Sequence, residues 1–310
     1  MTGFILIALV GYVLLAAVAI LDKFILTKEM EVSAYTFYST VFFFAAFLLY
    51  PFSEAISFYG FLWALGAGLG FGFGMWAMFL GLRRGQATHV VPFIGAVTAV
   101  FVYGFSSIIL GDSLSLLQTT GIVMLVIASL LFSYDKEHGM RKSAGEGKGL
   151  HPAFAWALLS GFLYAVSHVA SKHFYGDYSF FTGIVWAQGS VGVVSFFTLL
   201  SAAARRDIFG KKSHDGSRRE NSKRQNKIGI VIADKALGLA GTLAIQYSIA
   251  TGSVAIVSGL VGLQYALIMV FAAASTLFYP RFFKEYFSRK EVFLEVVAII
   301  LVITGVFLLV

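Results

Sequence analysis

Long apolar stretches, separated by short polar segments, run along the whole chain. A helix needs about 20 mostly apolar residues to cross the hydrocarbon core of a bilayer. The pattern predicts membrane-spanning helices at residues 3–22, 33–51, 58–82, 88–110, 114–133, 152–173, 179–203, 228–250, 253–280 and 291–310. We therefore predict an all-α polytopic membrane protein with about ten transmembrane helices.

Two polar segments interrupt the apolar pattern, at residues 135–151 and 205–227. Both are charged, contain Gly and Ser and lack apolar periodicity, so we predict that both are flexible loops. The first lies near the middle of the chain. We expect it to be a linker between two units of five helices each, residues 1–134 and 152–310.

Short similarities relate these two halves. The first span of each half ends near a lysine, Lys23 and Lys172, and the pair Gly85 and Gly95 recurs at one offset as Gly252 and Gly262. Because each half has an odd number of spans, the second half must be inserted with the opposite orientation. Such inverted repeats are typical of transporters, whose site lies near the membrane midplane between the repeats.

The distribution of Lys and Arg predicts the orientation. Of the 23 basic residues, all but two lie in the loops after spans 1, 3, 5, 7 and 9. The two exceptions are Lys172, near the opposite face, and Lys235, inside a span. The positive-inside rule places these loops in the cytoplasm and both termini outside a cell membrane. The net charge of +7 follows from this topology, so no nucleic acid is expected as a partner. The loop 205–227 could also bind anionic lipid headgroups.

Composition agrees with the membrane class. The chain is 58% hydrophobic and 13% charged, with a mean hydropathy of +0.83, whereas soluble domains carry about 25% charged residues. There is no cysteine, which excludes disulfides and thiolate sites. We find no Walker loop, metal-binding His spacing or paired membrane carboxylates. The sequence therefore predicts no enzyme activity, no cofactor, no metal and no direct use of ATP.

The number of spans, the two lysines and a set of short motifs resemble the drug/metabolite transporter superfamily, EamA-like branch. The motifs are Gly85-Gln86-Ala87, Gly111-Asp112-Ser113-Leu114-Ser115 and Gly121. The likeness covers essentially the whole chain, although the family's Gly-Glu before the fifth helix is Gly111-Asp112 here and Lys284-Glu285 in the second half. The resemblance implies a secondary transporter or exporter of small organic solutes, as a monomer or homodimer. Ten-helix relatives are often described with cytoplasmic termini, and here we keep the topology that the charges predict.

Asp234 and Lys235 are the clearest candidate site residues, because ionisable residues within a span are costly and usually line a pathway or pair internally. Lys235 lies about seven residues, roughly 10 Å, into its predicted span. Adjacent residues do not face each other on a helix, so each should need its own partner or a wet cavity. Lys235 would attract an anionic solute, and Asp234 would take up a proton or cation. The alternative is a structural ion pair with Asp22 or Lys23.

Further candidates come from other spans. His168 and Lys172 lie one turn apart on one face and could serve proton coupling together with Asp234. Possible solute contacts near the middle of the spans are Gln264, Tyr265 and Trp76. Asp22 and Lys23 could contribute to binding or gating at the end of the first span.

Three functions remain open. The first is a secondary active transporter that exports a small polar or amphiphilic metabolite by alternating access. The second is a flippase for a lipid-linked or phosphorylated head group. The third is a membrane scaffold or receptor that transports nothing, for which Lys235 would be fully paired.

Overall fold

A computed structural model describes residues 2–28, 31–85, 87–111, 114–133, 152–209, 218–278 and 289–309, and these residues contain helices and no strand. The first five helices are α1 (Thr2–Lys28), α2 (Val32–Val41, continued by a 3₁₀ helix at Phe42–Phe52), α3 (Phe58–Arg84), α4 (Ala87–Phe105, continued by a π-helical turn at Ser106–Leu110) and α5 (Leu116–Ser133). The next five are α6 (Pro152–Asp177), α7 (Phe180–Thr198), α8 (Arg218–Thr251), α9 (Val254–Gly259 and Val261–Phe278) and α10 (Arg289–Leu309). A short connecting helix covers Ala202–Phe209.

Within the described residues, seven helices are long and apolar enough to cross a membrane. Two further apolar helical segments, Leu116–Leu131 and Val296–Leu308, are shorter. Large apolar side chains also cover much of the surface; Leu48, Ile108 and Phe307 are each at least three-quarters exposed. An apolar exterior of this kind suits lipid rather than water. The prediction of a multi-pass helical membrane protein is therefore confirmed, whereas the count of ten spans stays a prediction.

The predicted flexible loop at 205–227 is wrong where the structure describes it. Residues 205–209 belong to the connecting helix, and α8 begins at Arg218 rather than near residue 228. Lys, Arg, Glu and Gln are good helix formers, so a charged segment next to a span extends that helix beyond its apolar part. The predicted linker 135–151 lies outside the described residues.

Among the described residues, the two helix pairs with the most extensive contact are α3 with α6 and α1 with α8. Glycines of α3 permit its approach to two neighbours. Ideal Cβ atoms at Gly70 and Gly74 would touch α6, while those at Gly68 and Gly72 would press against α7. These glycines thus form two small-residue faces with a four-residue spacing, a pattern that lets helix backbones approach closely. Gly66, in contrast, has open space around it.

Candidate functional site

A buried polar cluster lies where α1, α2 and α8 meet. It consists of Asp22 on α1, Tyr35 on α2, and Asp234 and Lys235 on α8. The Tyr35 side chain is fully buried, the carboxyl groups of Asp22 and Asp234 are 4% and 0% exposed, and the Lys235 side chain is 21% exposed. We call these four residues the Asp22–Lys235 cluster.

The Tyr35 hydroxyl lies at the centre of the cluster. Its oxygen is 2.5 Å from Asp22 Oδ1 and 2.8 Å from Asp234 Oδ2, and it accepts a hydrogen bond of 2.7 Å from Lys235 Nζ. Lys235 Nζ is also 2.8 Å from Asp234 Oδ2 and 3.5 Å from Asp22 Oδ1. One hydroxyl therefore contacts both carboxyl groups and the ammonium.

Aromatic rings hold this arrangement in place. Tyr35 packs against Phe79 of α3 with a centroid separation of 4.8 Å. Lys235 Nζ lies 3.9 Å from the centre of the Tyr35 ring, a distance at which a cation is attracted to the ring face. The ammonium is thus held by a carboxylate, a hydroxyl and a ring in a largely buried environment.

The structure gives Asp234 and Lys235 each other as partners, so the expectation that sequence neighbours need separate partners is wrong here. The Cβ atoms of adjacent helix residues do point apart. The lysine stem is long and flexible, however, and it returns its ammonium to Asp234 as it reaches Tyr35. The ion pair with Asp22, which was the alternative for Lys235, is also present.

The expectation that the spans contain no paired carboxylates is wrong. Asp22 and Asp234 are separated by more than two hundred positions in the chain but bind the same hydroxyl. Tyr35, which brings them together, was not among the predicted residues. Nothing in the sequence distinguishes it from the other tyrosines, of which the chain has 14 in total.

Lys23 does not join the cluster, although it follows Asp22 directly. Its ammonium donates hydrogen bonds of 2.6 Å to the carbonyl oxygens of both Leu82 and Gly85. These carbonyls belong to the last turn of α3, where helical partners are missing and a positive charge is favourable. Lys23 therefore fixes the end of α1 to the end of α3.

Lys172 makes a comparable contact at the other end of the fold. Its ammonium donates to the carbonyl of Ala250 at 3.3 Å, next to the end of α8. One turn earlier on α6, His168 Nδ1 lies 3.3 Å from the hydroxyl oxygen of Ser258 on α9. Of these two predicted residues, His168 thus contacts α9 and Lys172 contacts α8.

Of the remaining predicted contacts, Tyr265 and Gln264 are buried and Trp76 is partly buried. Tyr265 is 1% exposed and Gln264 8%, and Trp76 packs against the core that contains Tyr265. The indole N–H of Trp76 is buried and has no hydrogen-bond partner among the described residues. Trp76 therefore has a donor available for a ligand.

One carboxylate oxygen of the cluster, like the Trp76 indole N–H, is buried without a hydrogen-bond partner among the described residues. This oxygen is Asp234 Oδ1. Such a buried atom is costly, and functional sites are among the places where the cost is tolerated. The cluster thus offers an acceptor for a proton or for a donor group of a ligand.

Comparisons with known proteins show the fold alone. No family model matches the chain, and no curated protein does. Chains in solved structures do match, 28 of them. One is a crystal structure of a protein whose description names no function; it is 14% identical, has a TM-score of 0.65, and is matched over 99% of this chain and 96% of its own. At this identity the likeness extends to the arrangement of helices and no further.

Proposed function

We propose that the chain is a secondary active transporter that exports a small polar or amphiphilic organic solute across a cell membrane. It would work by alternating access, with ten spans in two inverted halves and the basic loops in the cytoplasm. The observation that carries the proposal is the Asp22–Lys235 cluster. Ionisable side chains are rare within spans and are usually functional there.

The position of the cluster supports a gating role. Asp22 and Tyr35 belong to the proposed first half, whereas Asp234 and Lys235 belong to the second. Within the cluster, one hydroxyl and one ion pair join the two halves, and forming or breaking these polar contacts would give two discrete states, joined or separated. Alternating access needs a bistable element of this kind at one end of the pathway.

Matching contacts support the two inverted halves. Lys23 at the end of α1 binds the end of α3, and Lys172 near the end of α6 binds the end of α8. The two helix pairs with the most extensive contact are α1 with α8 and α3 with α6. If α1 corresponds to α6 and α3 to α8 in the repeat, the first pair corresponds to the second. An approximate twofold relation between the halves accounts for both observations.

Solute contacts would lie nearer the midplane than the cluster. Gln264 and Tyr265 are buried near the middle of α9, and Trp76 is partly buried on α3. The indole N–H of Trp76, which has no partner in the described part of the chain, and the amide of Gln264 suit a solute with hydrogen-bonding groups. The many rings of the core suit its apolar part.

A second candidate function is a membrane scaffold or receptor that transports nothing. The pairing of Lys235 with two carboxyl groups and a hydroxyl is what that function requires. A flippase, in contrast, would need a lateral opening between helices.

The deciding experiment is a ligand screen followed by transport in proteoliposomes. The panel holds amino acids, nucleosides, sugar phosphates, polyamines, quaternary amines and lipid head groups, and binding is detected as thermal stabilisation. A ligand at a hundredfold excess over its Kd stabilises by about 2.7 kcal/mol. We expect a hit that is transported by the wild type and not by Lys235→Ala.

The matched control is Arg206→Ala, which removes a basic side chain from the exposed surface of the connecting helix. This variant should bind and transport as the wild type does. Transport by Lys235→Ala at the wild-type rate would contradict the role of the cluster. If no compound of the panel is bound or transported, the scaffold or receptor becomes the better assignment.

A further inference from the structure

The hydrogen atoms of the Asp22–Lys235 cluster can be counted. The Tyr35 oxygen lies within hydrogen-bond distance of two carboxyl oxygens, at 2.5 and 2.8 Å. A phenol has one proton to donate, and Lys235 already donates to the same oxygen. The Tyr35 proton therefore serves one of the two carboxyl contacts, and the other contact needs a proton on the carboxyl group itself.

The count of charges gives the same answer. Two ionised carboxylates and one ammonium would leave the cluster with one net negative charge. The carboxyl groups of Asp22 and Asp234 are almost completely buried, and an uncompensated charge is unfavourable in such an environment. One added proton makes the cluster neutral.

The two carboxyl groups are also close enough to repel each other. Because both contact the Tyr35 hydroxyl, their nearest oxygens are no more than about 5.3 Å apart. Two carboxylates that share one site do not readily ionise together. The shared proton therefore lies in one of the two contacts with the Tyr35 hydroxyl, on Asp22 Oδ1 or on Asp234 Oδ2.

No other charge in the described residues substitutes for this proton. The charged groups that act on Asp22 are Asp234 and Lys235, and its hydrogen bonds come from Tyr35 and Lys235. The neighbouring Lys23 is directed to the carbonyls of α3, and Arg83 pairs with Glu31 at the surface. Further titratable groups on the helices packed around the cluster include Tyr164, His168 and Lys172 on α6, His89 on α4, and Tyr12 and Tyr265 on α1 and α9.

We propose that Asp22 and Asp234 together hold one exchangeable proton, which keeps the closed cluster neutral and is released to water when the cluster opens. In the release step the O–H bond of one carboxylic acid breaks and the proton passes to water, leaving a second carboxylate. The coupling of this step to solute movement rests on the proposed transport function. The presence of the proton in the closed protein does not.

Infrared spectroscopy of the purified full chain in detergent tests the proposal. At neutral pH we expect a carbonyl stretch of a protonated carboxylic acid, shifted in deuterium oxide. The band should be lost in both Asp22→Asn and Asp234→Asn, since each leaves one carboxylate to balance Lys235. It should persist in Asp207→Asn, which changes an exposed carboxylate of the connecting helix.

A charge substitution supplies a second, quantitative readout. In Lys235→Met the ammonium is gone, so a neutral cluster needs both carboxyl groups protonated, and the band should roughly double. Because Asn has the shape of a protonated Asp, the single Asn variants should also keep their thermal stability. The double variant Asp22→Asn/Asp234→Asn leaves Lys235 without a counter-charge and should melt at a lower temperature.

The outcomes separate this proposal from the transport function. No acid band in the wild type, or a band unchanged in both Asn variants, overturns the shared proton even if the protein transports a solute. A band that responds as described supports the proton even if no transport is found, and in that case the transport function fails alone.

Discussion

Removing the Tyr35 hydroxyl should weaken the contact between α1, α2 and α8 and leave their apolar packing unchanged. In Tyr35→Phe the ring can keep its position against Phe79, at a centroid separation of 4.8 Å. The variant loses three polar contacts of 2.5, 2.8 and 2.7 Å. A hydrogen bond to a charged group contributes about 1.5–3 kcal/mol, and contacts that share one atom do not add.

We therefore expect a loss of about 3 kcal/mol of unfolding free energy in Tyr35→Phe. With an unfolding entropy of about 2.1 cal/mol/K per residue, this lowers the melting temperature of a chain of this length by about 4–5 °C. The assay is thermal unfolding in detergent at one fixed scan rate. In addition, transport should be impaired, because the closed state is weakened.

The matched control is Tyr38→Phe, one turn along the same helix. The Tyr38 ring packs edge-on against Phe37, and its hydroxyl makes no hydrogen bond within the described residues. Tyr38→Phe should melt within about 1 °C of the wild type. Equal melting temperatures for the Tyr35 and Tyr38 variants would refute the reasoning, because the central hydroxyl would then contribute no more than an unbonded one.

Three further predictions concern other parts of the fold. Lys23→Met removes both hydrogen bonds to the last turn of α3 and should cost about 2 kcal/mol, measured as a lower melting temperature. Gly161→Ala would place a Cβ 2.7 Å from a backbone carbonyl of α4. It should cost about 1–3 kcal/mol, whereas Gly104→Ala, with open space around it, should be neutral or stabilising in the same melting assay. Because the chain has no cysteine, a single introduced cysteine reports the side of the membrane on which it lies. A membrane-impermeant maleimide should label Ser53→Cys in intact cells and Ser213→Cys only after permeabilisation. The reverse labelling pattern would show that the predicted orientation is wrong.

The helices were largely predictable because their signal is local. An apolar stretch of membrane length has few alternatives to a helix, and the described parts of the predicted spans are helical apart from a few residues, such as 114–115 and 199–201. The start of α8 was misplaced by about ten residues, since hydropathy marks where a membrane begins and not where a helix does. The helix extends into the charged segment at Arg218.

The cluster was only partly predictable. Asp22, Asp234 and Lys235 are conspicuous because charges are rare in apolar stretches. Their meeting depends on how α1 and α8 pack, which no single segment encodes. Tyr35 gives no signal of its own, because a tyrosine in a span is ordinary, and it becomes central only when both carboxyl groups are known to reach it.

The pairing of α1 with α8, and of α5 with α10, has a consequence for how the protein is made. At about 5–20 residues per second of synthesis, α8 follows α1 from the ribosome after some 10–40 s. During that interval Asp22 is in the nascent chain without Lys235. An insertase or chaperone that binds the early helices would protect the incomplete chain from degradation during this interval. Chains truncated before α8 should therefore be cleared rapidly by membrane quality control.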